Sequence, residues 1–310
     1  MKHDLTIIGG GSILGFDAIS LYTTIFGLDV LKIIKLSKNL RTPLIIFGGG
    51  FRKESDDLPE RDRIHMKILF EKAVMKGVRG EISRDLLIKN HITDDVGVIG
   101  DPALSFNPIR VQYPLEKGFN IGMNVRYMKR RERQYIEQER IYEIFAQLAD
   151  HFTDAGAKIY FFSFTENIFD SDVKAAKRVI SRMKNRKAPV IIPFSKNVME
   201  VCSLIGKFDY LISHRLHPCI LGWVQKVPSV AFDYQFSKTA DFMQSINMDE
   251  FIIRTDEFTF ESYFNKYSKI KDNKNAIISC SQNKIDYWRR KQKDFAQHCL
   301  NLMIDNGLKK

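Results

Sequence analysis

Short apolar runs alternate with helix-length segments along nearly the whole chain, and this alternation restricts the fold more than any single residue does. Strand-like runs are read at residues 5–8, 43–47, 77–83, 96–99, 119–126, 158–162, 190–193, 209–213 and 227–234. Segments of helical spacing fall between them, at 30–39, 64–75, 84–87, 135–152, 171–184, 198–205 and 218–225. The spacing is clearest at 135–152, where Ile141, Ile144, Phe145, Leu148 and Phe152 make one apolar stripe. Ser83 and Ser195 are the expected caps of the helices that follow them. Strands separated by helices pair in parallel, with the helices covering the sheet faces. The stretch 107–117, with Pro108 and Pro114, divides the series. An α/β chain of two doubly wound domains is expected, at 1–110 and 118–275, with a last helix at 276–310 packing across them.

Within this pattern, residues 209–238 concentrate chemistry. Arg215 and His217 fall where the strand 209–213 hands over to the helix 218–225. In an open parallel sheet, ligands bind outside the carboxyl ends of the strands. Pro218 suits the first helical position, and a helix starting there aims N–H groups and the positive dipole end at the same place. A guanidinium and an imidazole beside them make an anion site next to a proton donor. An Arg and a His before a helix serve as often as cap and salt-bridge partners, so the pattern alone leaves both readings open. Asn124 and Arg126 end the strand 119–126. Arg126 could face the same crevice, or begin the basic run Lys129, Arg130, Arg131 and Arg133 as a surface cation. Earlier, two strands each run into a glycine turn, Gly9-Gly10-Gly11-Ser12 and Gly48-Gly49-Gly50. Such turns can hold an anion on their N–H groups, though turn geometry explains them equally.

The composition narrows the partners. The chain has 310 residues, 44% of them hydrophobic, and a formal net charge of +11, which favours anionic partners over neutral ones. No zinc-finger, RNP or KH pattern turns that charge into nucleic-acid recognition. The cysteines Cys202, Cys219, Cys280 and Cys299 lack CxxC spacing, so neither a metal site nor a disulfide framework is expected. No apolar run reaches the ~18 residues of a spanning helix. Residues 285–303 carry Trp288, Phe295, Cys299 and Met303 on one stripe with Lys and Arg opposite, suited to packing or to an acidic membrane surface.

Several segments together resemble the polysaccharide pyruvyl transferase family. Ser213-His214-Arg215-Leu216-His217 is similar to its SxRLH signature. Val227-Pro228-Ser229-Val230 with Asp233, Tyr234 and Lys238 resembles the continuation of that signature. The segment from Gly77 through Arg79 to Ser83, the run Asp101-Pro102-Ala103-Leu104 and the paired strand-plus-glycine turns resemble further parts, so the resemblance runs from Leu5 to about Ile253. The Gly-Asn-x-Gly-Asp segment usual near the start of the family does not occur, so the expectation is either a shortened first domain or a start placed too late.

The resemblance implies two Rossmann-like domains in a glycosyltransferase-B-like arrangement with a cleft between them. It implies an enzyme that moves the enolpyruvyl group of phosphoenolpyruvate onto a saccharide as a pyruvate ketal, in surface polysaccharide biosynthesis. His217 and Arg215 are then the catalytic residues, with Arg126, Asn124, Leu216 and Lys238 around the donor. Gly10, Gly11, Ser12 and Arg79 fall on the acceptor side. No metal or cofactor is implied. The acceptor is expected to be a lipid-linked or polymeric glycan, handled in the cytoplasm with peripheral contact at the inner face of the membrane. Two alternatives stand beside this reading: a nucleotide-sugar-dependent glycosyltransferase or epimerase of the same architecture, and a non-catalytic glycan-binding paralogue.

Overall fold

The structure, a computed structural model, describes residues 5–11, 14, 42–51, 58–107, 115–127, 132–166, 171–233 and 238–305. Ser12, Tyr234, the helix expected at 30–39 and residues 129–131 of the basic run lie outside the described residues. The chain divides into two units. The first comprises Met1–Ser105, Gln235–Asn247 and Asn283–Lys310, and the second Phe106–Tyr234 and Met248–Gln282.

The first unit holds a parallel sheet of β1 (Thr6–Gly9), β2 (Leu44–Gly49), β3 (Met75–Val78) and β4 (Gly97–Val98), in that order. Helix α1 (Glu60–Lys72) leads into β3, and α2 (Glu81–Lys89) leads towards β4. The last residues of β2, where its register shifts, need glycine on two counts. Gly48 has φ +67°, and a Cβ there would lie 2.4 Å from Pro102 Cδ. Pro102 opens a 3₁₀ turn whose Ala103 N–H donates to the Asp101 carboxylate, so the Asp-Pro-Ala-Leu run shapes the end of β4.

The second unit is the richer one. In chain order it runs β5 (Asn120–Asn124), α3 (Glu132–Asp154), β6 (Lys158–Phe162), α4 (Asp172–Ile180), β7 (Val190–Ile192), α5 (Val198–Ile205), β8 (Tyr210–Ser213), α6 (Leu216–Val224) and β9 (Ser229–Asp233). The chain then gives α7 (Lys238–Ser245) to the first unit. It returns for β10 (Ile252–Arg254) and α8 (Phe260–Asp272), and ends in α9 (Lys274–Asp305). The return through Gln235–Asn247 lies inside the range that the sequence reading gave to the second domain. Its cause is visible in α7, which buries Thr239, Asp241, Phe242 and Met243.

The second sheet is parallel throughout, in the order β10-β9-β8-β5-β6-β7. From β5 the chain winds outwards through β6 and β7, then crosses back to place β8 on the other side of β5. The carboxyl ends of β5 and β8 therefore face a topological switch point, where diverging connections leave a crevice. Under the sheet, Tyr160, Phe162, Ile205, Phe208, Leu211 and Leu221 belong to one core cluster. Gly122 lets the Phe208 ring lie across β5, since a Cβ there would sit 2.3 Å from it. Helix α6 is apolar all round and almost wholly buried, as a helix packed on every side must be.

Two caps differ from expectation. Asn197, not Ser195, caps α5 by accepting the Met199 N–H, while Ser195 Oγ accepts the Asn197 N–H and donates to Glu200. Ser83 lies inside α2, whose N-cap is Gly80.

Candidate functional site

The site grows from the turn between β8 and α6. Ser213 Oγ donates to the Arg215 carbonyl at 2.7 Å and accepts the Arg215 N–H at 3.2 Å, which closes a tight strand-to-helix turn. The His214 N–H donates to the Asn124 carbonyl at 2.8 Å, tying this turn to the end of β5. Helix α6 starts at Leu216, with Arg215 as N-cap. Pro218 is therefore its third residue and not the expected first. The change costs nothing, because no N–H of the first turn has an intrahelical partner.

The two histidines of the motif go opposite ways. His214 is 2% exposed and packs between Phe145 and Phe232, with ring centroids 6.4 and 6.1 Å away. Burial, with the Arg126 and Arg215 charges acting in the same sense, pushes its pKa down to about 3, so the ring is neutral at physiological pH. His217, in the first turn of α6, is half-buried and stacks near-parallel on Phe164, with centroids 6.5 Å apart. Arg126, also half-buried, is held by its carbonyl, which accepts from Gln138 Nε2 at 2.8 Å. Both guanidiniums thus bear on one imidazole at the switch point.

Arg215 is ion-paired, one of the two states that the sequence pattern left open. Its Nε donates to both oxygens of Asp172, at 3.0 and 3.1 Å, and its Nη2 to Oδ1 at 2.8 Å. Asn124 departs from expectation. It is fully buried, and its amide nitrogen donates to the Phe162 carbonyl and to Asp172 Oδ2, each at 3.0 Å. It braces Asp172 from within the fold. Leu216, 6% exposed, has an inward side chain, so only its backbone is near the crevice. Asp233, named in the sequence only as part of the signature's continuation, stands at the carboxyl end of β9. Burial raises its pKa against an opposing Arg254 charge, and its Oδ1 has no hydrogen-bond partner.

The remaining candidates lie in the first unit. Gly10 and Gly11 have φ +69° and +64°, as left-handed turn residues. Two N–H groups of the glycine turns are spent on backbone: Gly10 donates to the Phe47 carbonyl and Gly50 to that of Gly11. Arg79, expected on the acceptor side, is an interior charge, 1% exposed. Its nearest carboxylate oxygen, on Asp101, is 3.8 Å from Nη1, and its guanidinium nitrogens make no hydrogen bond. Asp241, from α7, sits close by. It accepts the Ile82 N–H at 3.1 Å and the Ser83 hydroxyl at 2.8 Å, and so caps α2 from a distant part of the chain. Burial raises its pKa, opposed first by the Arg79 charge. Lys238 opens α7 and is half-buried. Among the described residues no group of three or more His, Cys, Asp or Glu could hold a metal ion, and no helix is long and apolar enough to cross a membrane.

Solved structures share this architecture at low identity. A UDP-N-acetylglucosamine 2-epimerase from Neisseria meningitidis, bound to UDP-GlcNAc, aligns with a TM-score of 0.59 at 12% identity, over 97% of this chain and 77% of its own. S. aureus MnaA, solved with UDP, gives 0.61 at 13%, over 97% and 77%. An α,α-trehalose 6-phosphate synthase from Burkholderia multivorans gives 0.55 at 11%, over 90% and 71%. These likenesses establish an α/β fold of the glycosyltransferase-B kind, with two parallel sheets consistent with two Rossmann-like domains. No match is found among curated proteins. The family model of polysaccharide pyruvyl transferases matches residues 2–235, a span that takes in both glycine turns and the whole Ser213–His217 turn. The chain belongs to the polysaccharide pyruvyl transferase family.

Proposed function

We propose that this transferase takes phosphoenolpyruvate as its donor and forms a pyruvate ketal across two hydroxyls of a saccharide, releasing phosphate. The observation that carries the reading is the pairing of the β5 and β8 ends, Asn124 beside Ser213 with the His214 N–H on the Asn124 carbonyl, which brings the segments of Arg126 and Arg215 together, with His217 in the adjoining first turn of α6. Phosphoenolpyruvate carries a carboxylate and a phosphate, and a guanidinium can hold either one bidentately. A neutral His214 adds no charge of its own to that of the two arginines.

The reaction needs a proton at the methylene carbon and one sugar oxygen at the neighbouring carbon. The bond from that carbon to the phosphate oxygen then breaks, its electron pair leaving with inorganic phosphate. A second sugar hydroxyl adds to the same carbon and gives up its proton. Donor and diol thus become ketal and phosphate with no oxidant or reductant. His217 is assigned the proton transfers, and the two arginines the donor's anionic groups and the departing phosphate. A lipid-linked or polymeric glycan is the proposed acceptor, met at the inner face of the membrane by a protein of net charge +11.

The test pairs ligand binding with turnover. Phosphoenolpyruvate is expected to raise the melting temperature, and His217→Ala to lower phosphate release with a glycan acceptor by about 10²–10⁴ while leaving the melting temperature unchanged. Wild-type turnover in that variant would remove His217 from the chemistry. Arg215→Ala is the poorer probe. It strands the Asp172 side chain, 1% exposed, without its cation, and breaking such a pair costs roughly 3–5 kcal/mol. A second reading, a nucleotide-sugar enzyme, is favoured by the two structures above that hold UDP or UDP-GlcNAc. A melting shift with UDP-N-acetylglucosamine and none with phosphoenolpyruvate would establish it instead.

A further inference from the structure

We infer that Asp172 is the positioning residue of the donor site, fixing the plane and reach of the Arg215 guanidinium. The inference rests on the reading of Arg215 as a donor contact given above. Asp172 is 2% exposed and is the first residue of α4, whose N-cap Ser171 accepts the Lys174 N–H. Besides the Arg215 nitrogens, Asp172 Oδ2 accepts Asn124 Nδ2 at 3.0 Å and the N–H groups of Phe164 and Thr165 at 2.8 and 3.1 Å. These donors come from the end of β5, from the segment after β6 and from the N-cap of α6. They are the pieces of chain that surround the switch point.

So many bonds on one small side chain serve more than the capping of a nine-residue helix. Ser171 already supplies that cap. What Asp172 adds is orientation. A guanidinium is planar, and bonds through Nε and Nη2 to one carboxylate fix both its plane and its direction. Without that anchor the arginine side chain could turn about four single bonds and would pay the entropy of ordering when the donor binds. Asp172 also supplies a negative charge beside Arg215, which offsets the charge of its guanidinium before an anion arrives. Asn124 completes the arrangement, because its amide nitrogen joins Asp172 to the Phe162 carbonyl and keeps the carboxylate in place. Asp172 itself need not touch the donor.

The experiment is a double-mutant cycle read by calorimetric titration with phosphoenolpyruvate. Asp172→Asn puts an amide donor against the guanidinium, and Arg215→Gln removes the guanidinium while leaving Asp172 a hydrogen-bond donor. Asp172→Asn is expected to weaken phosphoenolpyruvate by at least about tenfold. Added to Arg215→Gln, it is expected to weaken binding by less than about twofold further. Asp172→Glu, which keeps the charge, should recover part of the affinity, and it serves in the cycle should Asp172→Asn fail to fold. Losses that multiply independently in the double variant, or wild-type affinity in Asp172→Asn, would overturn the positioning role and leave the donor assignment standing. Unchanged affinity in Arg215→Gln would overturn the donor assignment and this inference together.

Discussion

At the scale of single residues, the chain spends its histidines differently although they stand three positions apart. His214 is held neutral among aromatic rings, and that has a measurable price. Its folded pKa of about 3 lies below its ordinary 6.5. Its contribution to stability is therefore complete above pH 6.5 and is lost as the pH falls towards 3, by at most about 5 kcal/mol. The stability gap between the wild type and His214→Gln, from urea midpoints, should shrink steadily from pH 7 to pH 4. A gap that stays constant over that range would show that His214 does not titrate on unfolding. The motif announced the arginine and both histidines, but not which imidazole turns inward. That choice is made by Phe145 on α3 and Phe232 on β9, far away in sequence. Asp172 was missed for the same reason: its proposed positioning role depends on Arg215, on a different strand-to-helix connection. Arg79 fell on the acceptor side through the family resemblance alone, and its burial beside Asp101 and Asp241 reveals an interior charge.

At the scale of elements, most of the strands were legible because parallel strands, buried on both faces, read as continuous apolar runs. Tyr210 to Ser213 and Ser229 to Val230 are examples, buried throughout. Helix α8 was not legible. Its buried residues Tyr263, Tyr267 and Ile270 keep helical spacing but are mostly aromatic among polar neighbours, and its start is marked by a capping box of Thr259 and Ser262 rather than by the commoner acidic partner. Helix α2 shows how a cap can come from outside the element. Gly80 supplies no side chain, and a Cβ there would stand 2.0 Å from Asp241 Oδ1. Gly80→Ala should displace Asp241, uncap α2 and lower stability by about 1–3 kcal/mol in urea titrations. A loss below about 0.5 kcal/mol would mean that Asp241 shifts without cost.

At the scale of the whole molecule, the chain passes between its two units after Ser105, Tyr234, Asn247 and Gln282. The last passage falls inside α9, an unbroken helix of 32 residues. Neither unit can lose its share of that helix without fraying the other's. The two tryptophans report on the units separately. Trp223 is buried in the second, and Trp288 donates from its indole to the Ser245 carbonyl in the first. Single-tryptophan variants, Trp223→Phe and Trp288→Phe, should therefore give coincident urea transitions by fluorescence. Two separated midpoints would show that the units unfold independently.

The strand order has a further consequence. Asn124 to Arg126 and Ser213 to His217 are spatial neighbours only because two intervening strands were laid down on the far side of β5 first. A peptide spanning Ser213 to Lys238 alone would carry the signature and be mute, since half of the proposed anion site arrives from elsewhere. The proposed recognition thus matures late, after the slow, non-local closure of the sheet, and a nicked or half-folded chain would go blind to the proposed donor while still rich in helix.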